Sequence, residues 1–282
     1  MSRIAIVTDS TSDIPKDLLK KLNITLVPLS VIFGNESYKD NGTEITVEQF
    51  YQKLKTSKNL PKTAQPSPGD FYETYDRLLG EYNGIVSIHI SKKMSGTIDS
   101  ALMAKKKLPE SNIQIIDSEL VHMPLGFLVL RAASLAKENK SMEEIIDGVK
   151  KLKAKMHSLF IPNTLEFLKK GGRIGRAKSL VASLLEIKPI LTLNYGEVSQ
   201  FKTTRRWNQA KNELINSMAT MIKHPQNLVI SVADSNVKKE GDEMKEKIQE
   251  TLNPKQILRV EFGCTLGTHM GPGALGITFF ED

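Results

Sequence analysis

Residues 84–101 read GIVSIHI followed by SKKMSGTIDSA, an apolar run of strand character that passes through a short polar loop into a helical pattern. Where a strand ends and a helix opens, backbone N–H groups lie unpaired and the helix dipole favours an anion. Ser95-Gly96-Thr97 stands at that place. Gly96 removes a side chain where backbone must approach something closely, and the flanking hydroxyls add donors. A plain helix cap at Ser95 explains the same letters, so anion site and cap stay open together.

The same strand-then-helix figure repeats outward along the 282 residues. Strands are expected at 3–8, 24–33, 84–90, 113–117, 157–162, 189–193, 197–204, 227–233, 256–262 and 274–280. Helices are expected at 15–22, 46–57, 68–80, 95–107, 122–139, 163–170, 206–222 and 237–252. SMEE at 141–144 is a capping box for a further helix, with Ile145, Val149, Leu152 and Met156 on one face. In the 95–107 helix, Ile98, Ala101 and Leu102 are expected to face inward. Such alternation predicts an α/β fold of two domains with mainly parallel sheets flanked by helices. PILTL-NYGE-VSQF (189–200) has the pattern of a hairpin, which makes the second sheet mixed. The domain change is expected near 155–162, dividing 1–157 from 158–282. The loop at 57–70 carries three prolines, and ordered loops of that length are often functional.

Composition removes several function classes. The opening MSRIAIVTDSTSD has too short an apolar patch for a signal peptide, and Pro124 and Arg131 interrupt the apolar stretch 120–136, which is expected to be a buried helix. One cysteine, Cys264, excludes an internal disulfide and suits a reducing cytoplasm. The net charge of +7 comes from scattered lysines, and no nucleic-acid-binding motif accompanies it. The five histidines show neither H-x-x-x-H nor H-E-x-x-H spacing, so no metal is expected. His89 and His157 sit in strand runs and are expected to be core or surface residues.

Three more stretches have two explanations each. TDSTSD (8–13) closes the first strand with short polar side chains, suited either to a binding crevice or to turn and capping bonds. KKGGRIGRAKS (169–179) is neither a Walker A loop nor a dinucleotide fingerprint. Gly171 there is expected to end a helix, leaving Arg173 and Arg176 either as surface charges or as partners for phosphate or carboxylate. GTHMGPGALG (267–276) is expected to be a loop of special shape that carries His269.

In their order along the chain, TDSTSD, TAQPSPGDF, SGT, GGRIGR, IKPIL and GTHMGPGALG closely resemble the DegV family, over nearly the whole length. The bacterial members it resembles are fatty-acid-binding subunits of fatty acid kinase. The resemblance implies a two-domain protein that buries one long-chain fatty acid with its carboxylate near the domain interface and needs no cofactor. It implies as partners an ATP-binding kinase subunit, which phosphorylates the carboxylate, and an acyl-phosphate acyltransferase at the membrane that feeds phospholipid synthesis. By position, Thr63, Ser95, Gly96 and Thr97 would hold the carboxylate, while Arg173 and His269 would serve head-group handling and phosphotransfer. Two departures touch this pattern: ELVHMPLGFLVL (119–130) where many relatives have serine and glycine, and Ala64 in place of a common serine. Burial worth about 0.8 kcal/mol per methylene would hold a long chain, and several donors would offset desolvation of its carboxylate. From another class, Ser95 and His269 would be the nucleophile and base of a serine hydrolase, although Ser95 is not in G-x-S-x-G. A phosphate- or nucleotide-binding enzyme using GGRIGR lacks any acidic metal-binding signature.

Overall fold

The structure, a computed structural model, describes residues 3–183 and 187–282. The first two residues of the opening stretch lie outside that range. The elements follow in chain order as β1 (Ile4–Asp9), α1 (Lys16–Lys21), β2 (Ile24–Val27), β3 (Ser30–Phe33), β4 (Glu36–Lys39) and α2 (Val47–Thr56). Next come β5 (Lys62–Ala64), α3 (Pro68–Leu79), β6 (Gly84–His89), α4 (Thr97–Lys106), β7 (Ile113–Asp117), α5 (Met123–Lys137) and α6 (Met142–Lys153). The chain continues through β8 (His157–Ile161), α7 (Glu166–Lys170), β9 (Lys188–Asn194), β10 (Glu197–Thr204) and α8 (Trp207–Met221). It closes with β11 (Leu228–Asp234), α9 (Lys238–Leu252), β12 (Gln256–Glu261), α10 (Cys264–Met270) and β13 (Leu275–Glu281).

Two compact units result: Met1–Thr46 with Lys58–Ala154, and Val47–Ser57 with Lys155–Asp282. Helix α2 therefore counts with the second unit, although in sequence it lies inside the 1–157 span. The reason is local: Phe50 and Tyr51 of α2 pack directly on the backbone at Gly267, where an added Cβ would fall 2.6 Å from the Phe50 ring and 2.8 Å from the Tyr51 hydroxyl.

In the first unit, β2-β1-β6-β7 form an all-parallel sheet. Every residue of β1 and β6 is buried, as expected of strands covered on both faces. Ala5, Val7 and Ile85 meet Phe71, Tyr75 and Leu78 of α3 and Ala101 and Ala104 of α4 on one face. Helix α5 packs against β1 and in turn against α6. A fully buried side chain of this size is worth about 2 kcal/mol. The capping box of α6 forms as expected, with Ser141 and Glu144 bonding each other's backbone N–H.

The run 24–33, read as one strand, is two. Pro28, which has no N–H to give a ladder, separates β2 from β3. β3 instead joins β4 and β5 in a small antiparallel sheet, ordered β4-β3-β5. Helix α4 begins at Thr97 rather than at 95. Its buried stripe is Ile98, Ala101 and Ala104, so Leu102 points outward at 42% exposure, contrary to expectation.

The second unit holds a six-stranded sheet, β10-β9-β8-β13-β11-β12, which is mixed: β11 and β12 run parallel and the other pairs antiparallel. β9 and β10 form the expected hairpin, its turn made by Tyr195 and Gly196 at φ 50° and 80°. Leu214 and Met218 of α8 and Met244 and Ile248 of α9 join Ile230, Val232 and Ile277 in the core of this unit. Among the described residues, no helix is long and apolar enough to cross a membrane.

Candidate functional site

The strand order of the first sheet locates a crevice before any side chain is considered. From β1 the chain moves to β2 on one side, and it later returns as β6 on β1's other side. The switch of direction leaves a gap at the carboxyl ends of β1 and β6, where open α/β sheets bind ligands. TDSTSD and SKKMSGT are the loops that follow these two strands.

After β1, the carboxylate of Asp9 caps a single 3₁₀ turn, accepting from the Thr11 N–H at 3.0 Å and from the Thr11 hydroxyl. The Ser10 hydroxyl accepts from the Leu29 N–H at 3.1 Å. Asp9 thus makes the turn and capping bonds that were one explanation of this stretch, and Ser10 ties it to the segment between β2 and β3. Ser12 does neither: its hydroxyl oxygen is buried with no hydrogen-bond partner among the described residues. Asp13, at φ 47°, turns the chain and receives His122 Nδ1 at 2.7 Å. His122 is itself at φ 62° and directly precedes α5, so the ELVHMPLGFLVL departure puts a nearly buried His–Asp pair beside the β1 loop.

After β6, Gly96 occupies the N-cap of α4 with no side-chain cap. Ser95 is therefore not the cap. Its hydroxyl lies 2.9 Å from the Thr97 hydroxyl and accepts weakly from the Thr97 N–H at 3.3 Å. The partner of the Ser95 hydroxyl is thus Thr97, at the same helix start. The close approach expected at Gly96 is real, and its partner is the Gln65 side chain, whose amide atoms lie 2.4–2.7 Å from where a Cβ would be. Gln65 also reaches Ser100 at 3.4 Å. Nothing in local sequence singled out Gln65, since it acts across the gap between β5 and α4. Thr63 sits on β5, opposite Val31.

Under these two loops runs a fully buried polar chain. The Tyr75 hydroxyl meets the Ser87 hydroxyl at 2.8 Å, Ser87 meets His89 Nε2 at 2.6 Å, and His89 Nδ1 meets Asp9 Oδ2 at 3.0 Å. Asp9 Oδ2 also accepts from the Ile90 N–H at 3.0 Å. Burial pushes the Tyr75 phenol well above its usual range despite its bond to Ser87, so it remains a donor.

In the second unit, α7 is shorter than the 163–170 expected, and Gly171 follows it in ordinary right-handed backbone. The left-handed positions are Gly172 at φ 71° and Gly175 at φ 53°, on either side of Arg173. The Arg173 N–H bonds to Leu168 O at 2.9 Å and its guanidinium to Gly171 O at 2.7 Å. Gly171 has another use: an added Cβ would lie 2.3 Å from His269 Nδ1. Arg173 and His269, distant in sequence, are thus brought together over a bare glycine. Arg176 is a surface charge, with Glu197 at 3.3 Å and the Tyr195 ring at 5.4 Å.

His269 is not in a loop, as had been expected, but on α10. Gly267 is a helical residue there because α2 packs against it, and the loop proper is limited to the turn around Gly271 (φ 67°) and Gly273 (φ 88°). Burial, and after it the charge of Arg173, lower the pKa of His269 to about 4. At neutral pH it is an uncharged imidazole beside a permanent cation. Cys264, the first residue of α10, is buried.

An open parallel sheet with short hydroxyl side chains on both loops of its switch point has the architecture of the α/β proteins that bind small molecules there. The chain belongs to the DegV family: the model described as "Uncharacterised protein, DegV family" matches residues 3–282. A DegV domain-containing protein of Caldanaerobacter subterraneus is 35% identical over 282 residues, covering 100% of both chains. The structure of a fatty-acid-binding DegV family protein from Thermus thermophilus matches with a TM-score of 0.93 at 33% identity, covering 99% of this chain and 100% of that one. DegV of Bacillus subtilis, a fatty acid binding protein, matches with a TM-score of 0.92 at 31% identity, with 100% of each chain covered.

Proposed function

We propose that this protein is a carrier for one long-chain fatty acid, held with its acyl chain buried and its carboxylate at the start of α4. The observation that carries the proposal is that helix start. Gly96 leaves α4 without a side-chain cap, at the switch point, with the Ser95 and Thr97 hydroxyls side by side. A carboxylate there would accept from both hydroxyls and from the Gly96 N–H, with Thr63 as a further donor. The two fatty-acid-binding relatives, matched over their whole lengths, support the choice of ligand.

In this proposal the protein does no chemistry alone and needs no cofactor. A separate ATP-binding kinase subunit phosphorylates the carboxylate, and an acyltransferase at the membrane takes the acyl-phosphate into phospholipid synthesis, with the carrier itself in the cytoplasm. Arg173 supplies a charge that does not titrate, and His269 an uncharged ring able to donate or accept, both suited to phosphoryl transfer, which depends on positioning and charge stabilisation.

The test is native mass spectrometry of freshly purified protein, followed by fatty acid titration of Ser95→Ala. One fatty acid mass per chain is expected. The substitution removes a charge-assisted hydrogen bond worth roughly 1.5–3 kcal/mol, so affinity should fall by about tens of fold with the fold intact. Lipid-free protein that takes up no member of a fatty acid panel overturns the proposal. Unchanged affinity in Ser95→Ala removes Ser95 from the site.

A further inference from the structure

Asp9 and His89 are the last residues of β1 and β6, the two strands that flank the switch point, and they are bonded to each other across it. Both are fully buried. Polar groups so placed need every hydrogen bond, and an apolar pair of similar volume would often serve stability as well or better. The chain has a direction. The Asp9 carboxylate is an acceptor, so His89 turns Nδ1–H toward it; with the ring hydrogen there, Nε2 accepts from the Ser87 hydroxyl, which in turn accepts from Tyr75. Nδ1–H donates to Asp9 Oδ2.

Asp9 collects four donors: the Thr11 N–H and hydroxyl on one oxygen, and His89 Nδ1 and the Ile90 N–H on the other. The first pair shapes the loop after β1, and the Ile90 N–H opens the loop that leads to Ser95 and Gly96. The end of β6 is clamped elsewhere as well, since the Ser118 hydroxyl donates to His89 O at 2.6 Å and the Thr8 hydroxyl to Ile88 O at 2.9 Å. Losing the His89 bond therefore leaves the strand in place and slackens the tie between the two loops.

We infer that His89, acting through Asp9, is a positioning residue that sets the Ser95–Thr97 donors for a carboxylate ligand. The inference rests on the proposal that the carboxylate binds at α4. His89 does not touch the ligand. It discriminates head groups by keeping the loop in the shape that a carboxylate requires, while the acyl chain gains its affinity from burial.

The experiment compares palmitate with hexadecanol, which share a chain and differ in the head group, on the purified full chain. Asparagine places its amide where Nδ1 stands and glutamine where Nε2 stands. His89→Gln should thus lose the Asp9 bond and His89→Asn should keep it. A net bond of this kind corresponds to about tenfold. His89→Gln should lower the palmitate-to-hexadecanol affinity ratio by about that factor with hexadecanol binding little changed, and His89→Asn should restore most of the ratio. Should either buried substitution fail to fold, Ser87→Ala, which unlocks the ring tautomer and also takes a partner from the Tyr75 hydroxyl, should lower the ratio about two- to threefold with hexadecanol binding little changed. A ratio that stays at the parent's value in the folded variants, or equal losses for both ligands, overturns the inference alone. A parent that binds neither ligand, or shows no preference for palmitate, removes the carrier proposal and the inference with it.

Discussion

His269→Gln tests the burial of His269 against the pH dependence of stability. The folded protein holds this imidazole at a pKa of about 4, against an ordinary value of 6.5, through burial first and the Arg173 charge second. On acidification the unfolded chain takes up the proton before the folded one does, so stability is present above 6.5 and drains away as the pH falls toward 4. A gap of that size is worth about 2 kcal/mol at a pH of about 5 and almost nothing at about 7. Glutamine cannot titrate. Urea unfolding of both proteins at the two pH values should therefore show the parent losing about 2 kcal/mol more than His269→Gln on going to the lower pH, whatever their difference at neutrality. Arg173→Met should raise the His269 midpoint, read from its imidazole proton resonances, while leaving it below the ordinary value because burial is the larger cause. Parallel stability profiles for parent and His269→Gln would refute the claim that His269 is held uncharged by its surroundings.

Two other substitutions test close approaches. Gly96→Ala places a Cβ on the Gln65 amide, the movable end of a long side chain; it should cost about 1 kcal/mol in thermal or urea unfolding, and a Gln65→Ala background should relieve at least about 0.5 kcal/mol of that. Additive effects of the two changes would mean that Gln65 is not what Gly96 makes room for. Gly267→Ala meets the rings of Phe50 and Tyr51, which are packed and cannot swing away, so it should cost about 1–3 kcal/mol by the same measurement; a neutral result would show that α10 has space to spare there.

Much of the architecture could be read from local pattern. The capping box at Ser141, the hairpin turn at Tyr195-Gly196 and the buried runs of β1, β6 and β11 each follow from spacing within a few residues. The elements that were missed depend on partners far along the chain. Helix α10 looked like a loop because glycine lowers helix propensity, and only the aromatic rings of α2 explain why a glycine is used inside it. The split of 24–33 depends on two different sheets claiming its halves. In the candidate site, Ser95, Gly96 and Arg173 stood out because they adjoin turns. Gln65 and the His89–Asp9 pair did not, since their meaning lies in contacts between separate elements, the latter spanning 80 residues of sequence.

The assignment of α2 to the second unit has a consequence for how the protein is made. The backbone passes between the units at 46/47, 57/58 and 154/155. On the ribosome, Phe50 and Tyr51 emerge long before Gly267 and the rest of α10, so the packing of α2 on α10 forms only after the first unit's remaining helices and strands have been synthesised. Neither a fragment ending at 154 nor one starting at 155 contains both sides of this packing: the first lacks Gly267, and the second lacks the rings that α10 closes upon. Dissecting the protein into separately expressed halves therefore calls for grafting 47–57 onto the later fragment, rather than for a single cut.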